Sequence, residues 1–156
     1  MSKIVIGLFT LIFFCNVTNA QSVTDSQKQI IIADIDNLFI KSIKAGETVN
    51  ISAIFENVND SLKAGFIDNG IYFDFFSTVM DGFKKGVEGV DSQKMDIINK
   101  KITVLSDNSV LLTASGNSTL SLSDGRFIYG KFAWTFVYLK IDGTWKIIHS
   151  HMSNPR

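Results

Sequence analysis

The chain carries one cysteine, Cys15, and one proline, Pro155, in 156 residues. A lone cysteine excludes an internal disulfide framework and the paired-cysteine patterns of zinc ribbons and redox motifs. With its only proline near the end, and with no low-complexity tract or repeat, nothing marks an internal linker. An excess of one charge is missing as well: 15 Lys and Arg stand against 15 Asp and Glu. Nucleic-acid binding needs a basic surface to neutralise phosphates, so that class of partner is excluded. Lys84-Lys85 and Lys100-Lys101 read as solvated positions. There is also no Gly-rich phosphate loop and no Ser-centred nucleophile elbow.

The one long hydrophobic run lies at the start. Lys3 precedes an almost unbroken apolar stretch, Ile4 to Phe14, and Thr18-Asn19-Ala20 places small residues before a cut at Gln21. This is the pattern of a cleavable signal peptide over residues 1–20, too short and wrongly flanked to span a membrane stably. Phe14 is too large for the position before a lipid-modified cysteine. Cleavage removes the only cysteine and Lys3, leaving one more acidic than basic residue. Residues 21–156 then suit a single domain, large enough to bury a core, secreted or periplasmic and with no membrane contact after cleavage.

The first half of that domain has helical spacing. Thr24 and Gln27 form a capping-box pattern, and Ile31, Ile35, Leu38, Phe39 and Ile43 recur as one apolar stripe that Gly46 would end. A second helix is expected over 48–59, with Ile51, Ile54, Phe55 and Val58 on one face. A short strand over 62–67 leads into an Asn69-Gly70 turn. Asp74 then offers a cap for a third helix carrying Phe75, Phe76, Val79, Met80 and Phe83, ended by Gly86 and Gly89.

From Ser92 the period changes. Runs 92–105, 109–122, 126–140 and 144–153 are rich in β-branched and aromatic residues, and turn pairs Asp107-Asn108, Asp124-Gly125 and Asp142-Gly143 separate them. Helices followed by an antiparallel meander give an α+β fold with the helices on one face of a curved sheet. The third run is apolar on both faces: Ile128, Phe132, Trp134, Phe136 and Tyr138 on one, Phe127, Tyr129, Ala133, Val137 and Leu139 on the other. One face packs on the helices. The other needs cover, and a second copy of the same sheet is the simplest, which points to a homodimer.

His149 and His151, two apart on the last strand, are expected to share a face with Trp145, Ile147 and Ser153. An imidazole in a pocket serves as general acid or base near neutral pH, which makes both histidines candidate catalytic groups. The alternative is one ring held by a backbone carbonyl and the other near the surface. Two imidazoles fall short of the three protein ligands zinc normally takes, and no carboxylate has matching spacing, so no metal site is expected. Trp134, Tyr138, Tyr72 and Ser153 are candidate ligand-binding residues, because aromatic rings with polar tips grip an apolar molecule while holding one oxygen. For each ring, core or interface packing is the alternative. Asn50-Ile51-Ser52, Asn59-Asp60-Ser61 and Asn117-Ser118-Thr119 fit the N-glycosylation pattern.

The order of helices, the Asp142-Gly143 hairpin and the ending from Trp145 through His149, His151 and Ser153 resemble the nuclear-transport-factor-2-like superfamily. Within it the match is to the SnoaL-like branch, which includes the association domain of calmodulin-dependent kinase. The resemblance implies a cone: a cystatin-like α+β barrel whose meander wraps three N-terminal helices around a deep pocket, and frequent dimers. It also implies diverse functions, from isomerases, dehydratases and cyclases to non-catalytic binders. Isomerases of the superfamily use a tyrosine and aspartates; Tyr72 and Asp74 are of those types but do not match by position. The expected function is an exported binder of a small hydrophobic molecule with no cofactor. The alternative is a cofactor-free isomerase, dehydratase or cyclase using His149 or His151 as proton shuttle.

Overall fold

The computed structural model describes residues 23–154; the expected signal peptide and Pro155 lie outside them. Helix α1 runs Asp25–Glu47 and opens with the expected capping box. The Gln27 N–H donates to Thr24 Oγ1 at 3.3 Å and the Thr24 N–H to Gln27 Oε1 at 2.9 Å. Its apolar stripe buries Ile31, Ile35 and Phe39. Gly46 does not end it. The helix runs one residue further to a Thr48 cap, and Val49 takes the left-handed conformation at φ 54°.

The second helix, α2, is a single turn, Ile51–Ile54, capped by Asn50 Oδ1 accepting from the Ala53 N–H at 3.1 Å. The expected helix over 48–59 stops there because the following chain is drawn to the sheet. The Ile147 N–H donates to the Asn57 carbonyl at 2.8 Å, and the Asn59 N–H to the Ile147 carbonyl at 2.9 Å. Strands β1 (Phe66–Asp68) and β2 (Ile71–Phe73) form a hairpin through Asn69 and Gly70, both at positive φ as a type I′ turn requires. Helix α3 (Phe76–Gly86) is not capped by Asp74, and its Phe75 is exposed rather than part of the apolar stripe. Its first N–H, on Phe76, donates instead to Asp60 Oδ2 at 3.2 Å, from the loop before β1.

Strands β3 (Val90–Val104), β4 (Ser109–Leu122), β5 (Phe127–Ile141) and β6 (Thr144–Ser153) form the expected antiparallel meander. The sheet order is β2-β1-β6-β5-β4-β3, with β1 parallel to β6, a pairing the sequence did not signal. The fold is α+β, with the helices on one face of the sheet. Ile35, Phe66, Val110 and Leu112 are fully buried in the shared core. Each contributes about 1.5–3 kcal/mol relative to exposure. Lys100 of β3 pairs with Asp36 of α1 and lies over the Phe39 ring, tying helix to sheet.

Of the three register shifts in the sheet, at Val90/Ser92, at Ile97/Asn99 and opposite Val137/Tyr138, the last two shape the region of the cavity. In β3 the register slips past Ile98, and Gly116 of β4 sits under the slip. A Cβ there would lie 2.0 Å from the Asp96 carbonyl oxygen and 2.8 Å from the Phe132 ring, so only glycine admits this approach. In β6 the register passes from Tyr138 opposite Ile147 to Val137 opposite His149, leaving Ile148 as an extra residue. Successive strand residues point to opposite faces, so one extra residue exchanges the faces. Trp145 and Ile147 point inward before the bulge, and Ser150 and Met152 after it. His149, His151 and Ser153 therefore share a face with one another but not with Trp145 and Ile147, contrary to the alternation expected from the sequence.

Candidate functional site

Between the helices and the inner face of the sheet lies a cavity of about 270 Å³. Its sheet wall carries an aromatic ladder on the inward side of β5, Trp134, Phe136 and Tyr138, with ring centroids 6.1 Å apart for Trp134–Phe136 and 6.5 Å for Phe136–Tyr138, and Phe132 packs on Trp134 at 4.3 Å outside the lining. Alternate residues of a strand project together, so the pattern at 132, 134, 136 and 138 makes a continuous face. The helical wall is built around Phe55, edge-on to Phe76 at 4.7 Å and to Phe83 at 5.0 Å. Phe39, Met95, Met152 and the buried Ser150 also belong to the lining. The volume suits a molecule of on the order of a dozen non-hydrogen atoms.

One side of the cavity is polar. Asp68 ends β1, Asn69 begins the hairpin turn, and Asn154 follows β6. The indole N–H of Trp134 donates to Asn154 Oδ1 at 2.9 Å, and the Asn154 backbone N–H donates to Asn69 Oδ1 at 2.7 Å. The side-chain amides of Asn154 and Asn69 each donate to a different oxygen of Asp68, both at 3.4 Å. Burial raises the Asp68 carboxyl above its ordinary value, and the Asn69 amide pulls it partly back. None of the ion pairs among the described residues includes Asp68. Tyr138 is 1% exposed, and burial pushes its hydroxyl well above the usual range, so it stays a neutral phenol.

Of the residues named from sequence, Trp134 and Tyr138 line this cavity. His149, His151, Ser153 and Tyr72 do not. The bulge at Ile148 turns the two histidines and Ser153 to the outer face. There His149 Nδ1 donates to the Gly65 carbonyl at 2.8 Å, which fixes its tautomer, while His151 is exposed opposite Thr135. This is the alternative arrangement, one imidazole on a backbone carbonyl and one at the surface. Tyr72 is 59% exposed and lies on Gly65, whose φ of +75° and contact with the phenol ring leave no room for a side chain. Across the outer face runs a row of Tyr72, Ile67, His151, Thr135, Thr113 and Lys101. Phe127 and Tyr129 of β5 stand exposed on the same side.

Asp68, Asn69, Asn154 and Ser150 were not singled out from sequence. Asp68 precedes the recognised Asn69-Gly70 turn and reads as a turn former. Its inward direction follows from the parallel pairing with Met152, a contact 84 residues distant in the chain that no local pattern reports. Among the described residues, no three His, Cys, Asp or Glu side chains come together as a metal-ligand set. No helix among them is long and apolar enough to cross a membrane.

Residues 32–156 match the family model described as a SnoaL-like domain. No curated protein matches the chain. Among solved structures, a nuclear-transport-factor-2-like protein of unknown function from Shewanella oneidensis is 22% identical with a TM-score of 0.59, covering 79% of this chain and 98% of its own. A putative calcium/calmodulin-dependent protein kinase II association domain from Xanthomonas campestris is 21% identical, with a TM-score of 0.64 over 76% of this chain and 84% of its own. The hexachlorocyclohexane dehydrochlorinase LinA-type3 from Novosphingobium barchaimii is 16% identical, with a TM-score of 0.68 over 84% and 90%. At these identities the likeness is one of fold.

Proposed function

The chain belongs to the SnoaL-like domain family of the nuclear-transport-factor-2-like superfamily, and on that premise we propose that it is an exported domain holding a small hydrophobic molecule in its inner cavity, with no cofactor. The observation that carries this reading is the cavity itself: an aromatic ladder on the sheet wall, Phe55, Phe76 and Phe83 opposite, and a few convergent polar groups on one side. Apolar walls supply affinity and a small polar cluster fixes orientation. Export is supported by the leader pattern of residues 1–20. A homodimer through the outer sheet face is supported by the exposed rings of Phe127 and Tyr129 beside an outward row of largely uncharged residues.

A second reading, a cofactor-free isomerase or dehydratase, is favoured by one observation. Asp68 lines the cavity and its carboxyl is raised by burial, which suits a group that takes up and returns a proton. In that reading Asp68 takes the role expected of the histidines. Native mass spectrometry of the protein purified from its own host tests the binding proposal. A small molecule retained on a dimer is the expected result, and an empty monomer overturns both the ligand and the dimer. Conversion of the retained molecule by the wild type, lost in Asp68→Asn, would establish the enzyme instead.

A further inference from the structure

Among the described residues Asp68 is the only acidic one lining the cavity, and no Lys, Arg or His of theirs forms an ion pair with it. Its two neighbours there, Asn69 and Asn154, are neutral amides that donate weakly at 3.4 Å. The one basic residue on the lining, Lys131, belongs by register to the outward row, opposite Asn117 and in line with Asp96. The cavity therefore holds a half-buried carboxyl without a counter-ion. A carboxylate withdrawn from water lacks solvation unless a cation or strong donors replace it.

The rest of the lining points the same way. Trp134 is tied to Asp68 through Asn154, and beyond it stand Phe136 and Tyr138 on one wall and Phe55, Phe76 and Phe83 on the other. Aromatic faces carry negative potential and attract an ammonium group, most strongly at tryptophan. An uncompensated carboxyl beside such rings selects for positive charge, and the aromatic body of the cavity selects for an apolar tail. Because Asp68 is only half-buried, the cation keeps part of its water and its transfer is not prohibitive.

We infer that the ligand is an apolar monocation, an amine or ammonium on a hydrophobic body of about ten non-hydrogen atoms, its charged head against Asp68 and Trp134 and its body between the aromatic walls. The inference rests on the cavity reading above and deepens it.

The test is calorimetric titration of the purified protein with 4-phenylbutylamine and 4-phenylbutan-1-ol, which have the same number of non-hydrogen atoms and differ in the charge of the head group. The amine is expected to bind about tenfold more tightly than the alcohol at neutral pH. Added sodium chloride should weaken the amine and spare the alcohol. In Asp68→Asn the two affinities should converge to within about twofold, with the alcohol unchanged. Since the salt series needs no variant, a misfolded Asp68→Asn leaves the proposal exposed to refutation. Equal binding of both molecules by the wild type overturns the charge assignment while the cavity reading stands. A preference that survives in folded Asp68→Asn overturns the role of Asp68. Failure of both molecules to bind overturns the inference together with the cavity reading.

Discussion

Burial makes the charged form of the Asp68 carboxyl costly and raises it above its ordinary value. A carboxyl raised in the native state relative to the unfolded chain contributes stability while it is protonated, in acid, and loses that contribution as the pH rises through its native value. Asp68→Asn is therefore expected to raise the melting temperature at neutral pH, with the gain fading as the pH falls towards about 4. Thermal melts across that range read it, and a gain that persists undiminished in acid would contradict burial of the charge as its cause. Gly116 makes the opposite point about a residue without a side chain. Its Cβ position is occupied by the Asp96 carbonyl and the Phe132 ring, so Gly116→Ala forces backbone of β3 to move. The expected loss in urea unfolding is about 1–3 kcal/mol, the usual range for overpacking.

Among the elements, α3 shows what local pattern reads and what it misses. Its inward residues Phe76, Val79 and Phe83 follow from helical spacing, but its cap does not, because Asp60 reaches it from a loop 16 residues earlier. Asp60→Ala is expected to cost about 1 kcal/mol, whereas Asp74→Ala should change stability by less than about 0.5 kcal/mol. Equal losses would return the cap to Asp74. Strand β6 gives the larger lesson. Its existence, its length and the Asp142-Gly143 turn were legible, since Asp142 and Gly143 both adopt the positive φ that a two-residue hairpin favours. The direction of its histidines was not, because a bulge at Ile148 leaves no mark in the alternation of residue types, and the bonds that hold Ile147 come from Asn57 and Asn59, far off in the chain. Trp134 and Tyr138 share the inward face expected of them because β5 keeps its alternation through this stretch. Asp68 escaped notice because a three-residue strand has too few positions for a period to be read.

In the molecule as a whole, the sheet separates two surfaces of different character. The inner one is an aromatic cavity with a carboxyl on one side; the outer one carries His149, His151, Tyr72 and Ser153 together with the exposed rings of Phe127 and Tyr129. The proposed dimer and the proposed ligand therefore do not compete for the same face. Substitution of exposed Tyr129 by Lys is expected to shift the protein from dimer to monomer in light scattering without weakening ligand binding; a variant that remains a dimer would remove the outer face of β5 from the interface.

Gly82 of α3 is an exposed residue on the rim of the cavity lining, and a Cβ there meets no atom within 4 Å, so a large side chain can be added there without a clash at its base and narrows the way in. Replacing a helical glycine by phenylalanine also favours the helix, by about 0.5 kcal/mol. Titration of 4-phenylbutan-1-ol into the wild type, Gly82→Phe and His151→Gln accordingly separates the inner surface from the outer. Binding abolished in Gly82→Phe and unchanged in His151→Gln is the expected outcome; binding retained by Gly82→Phe and lost in His151→Gln would put the ligand on the histidine-bearing face and contradict the assignment.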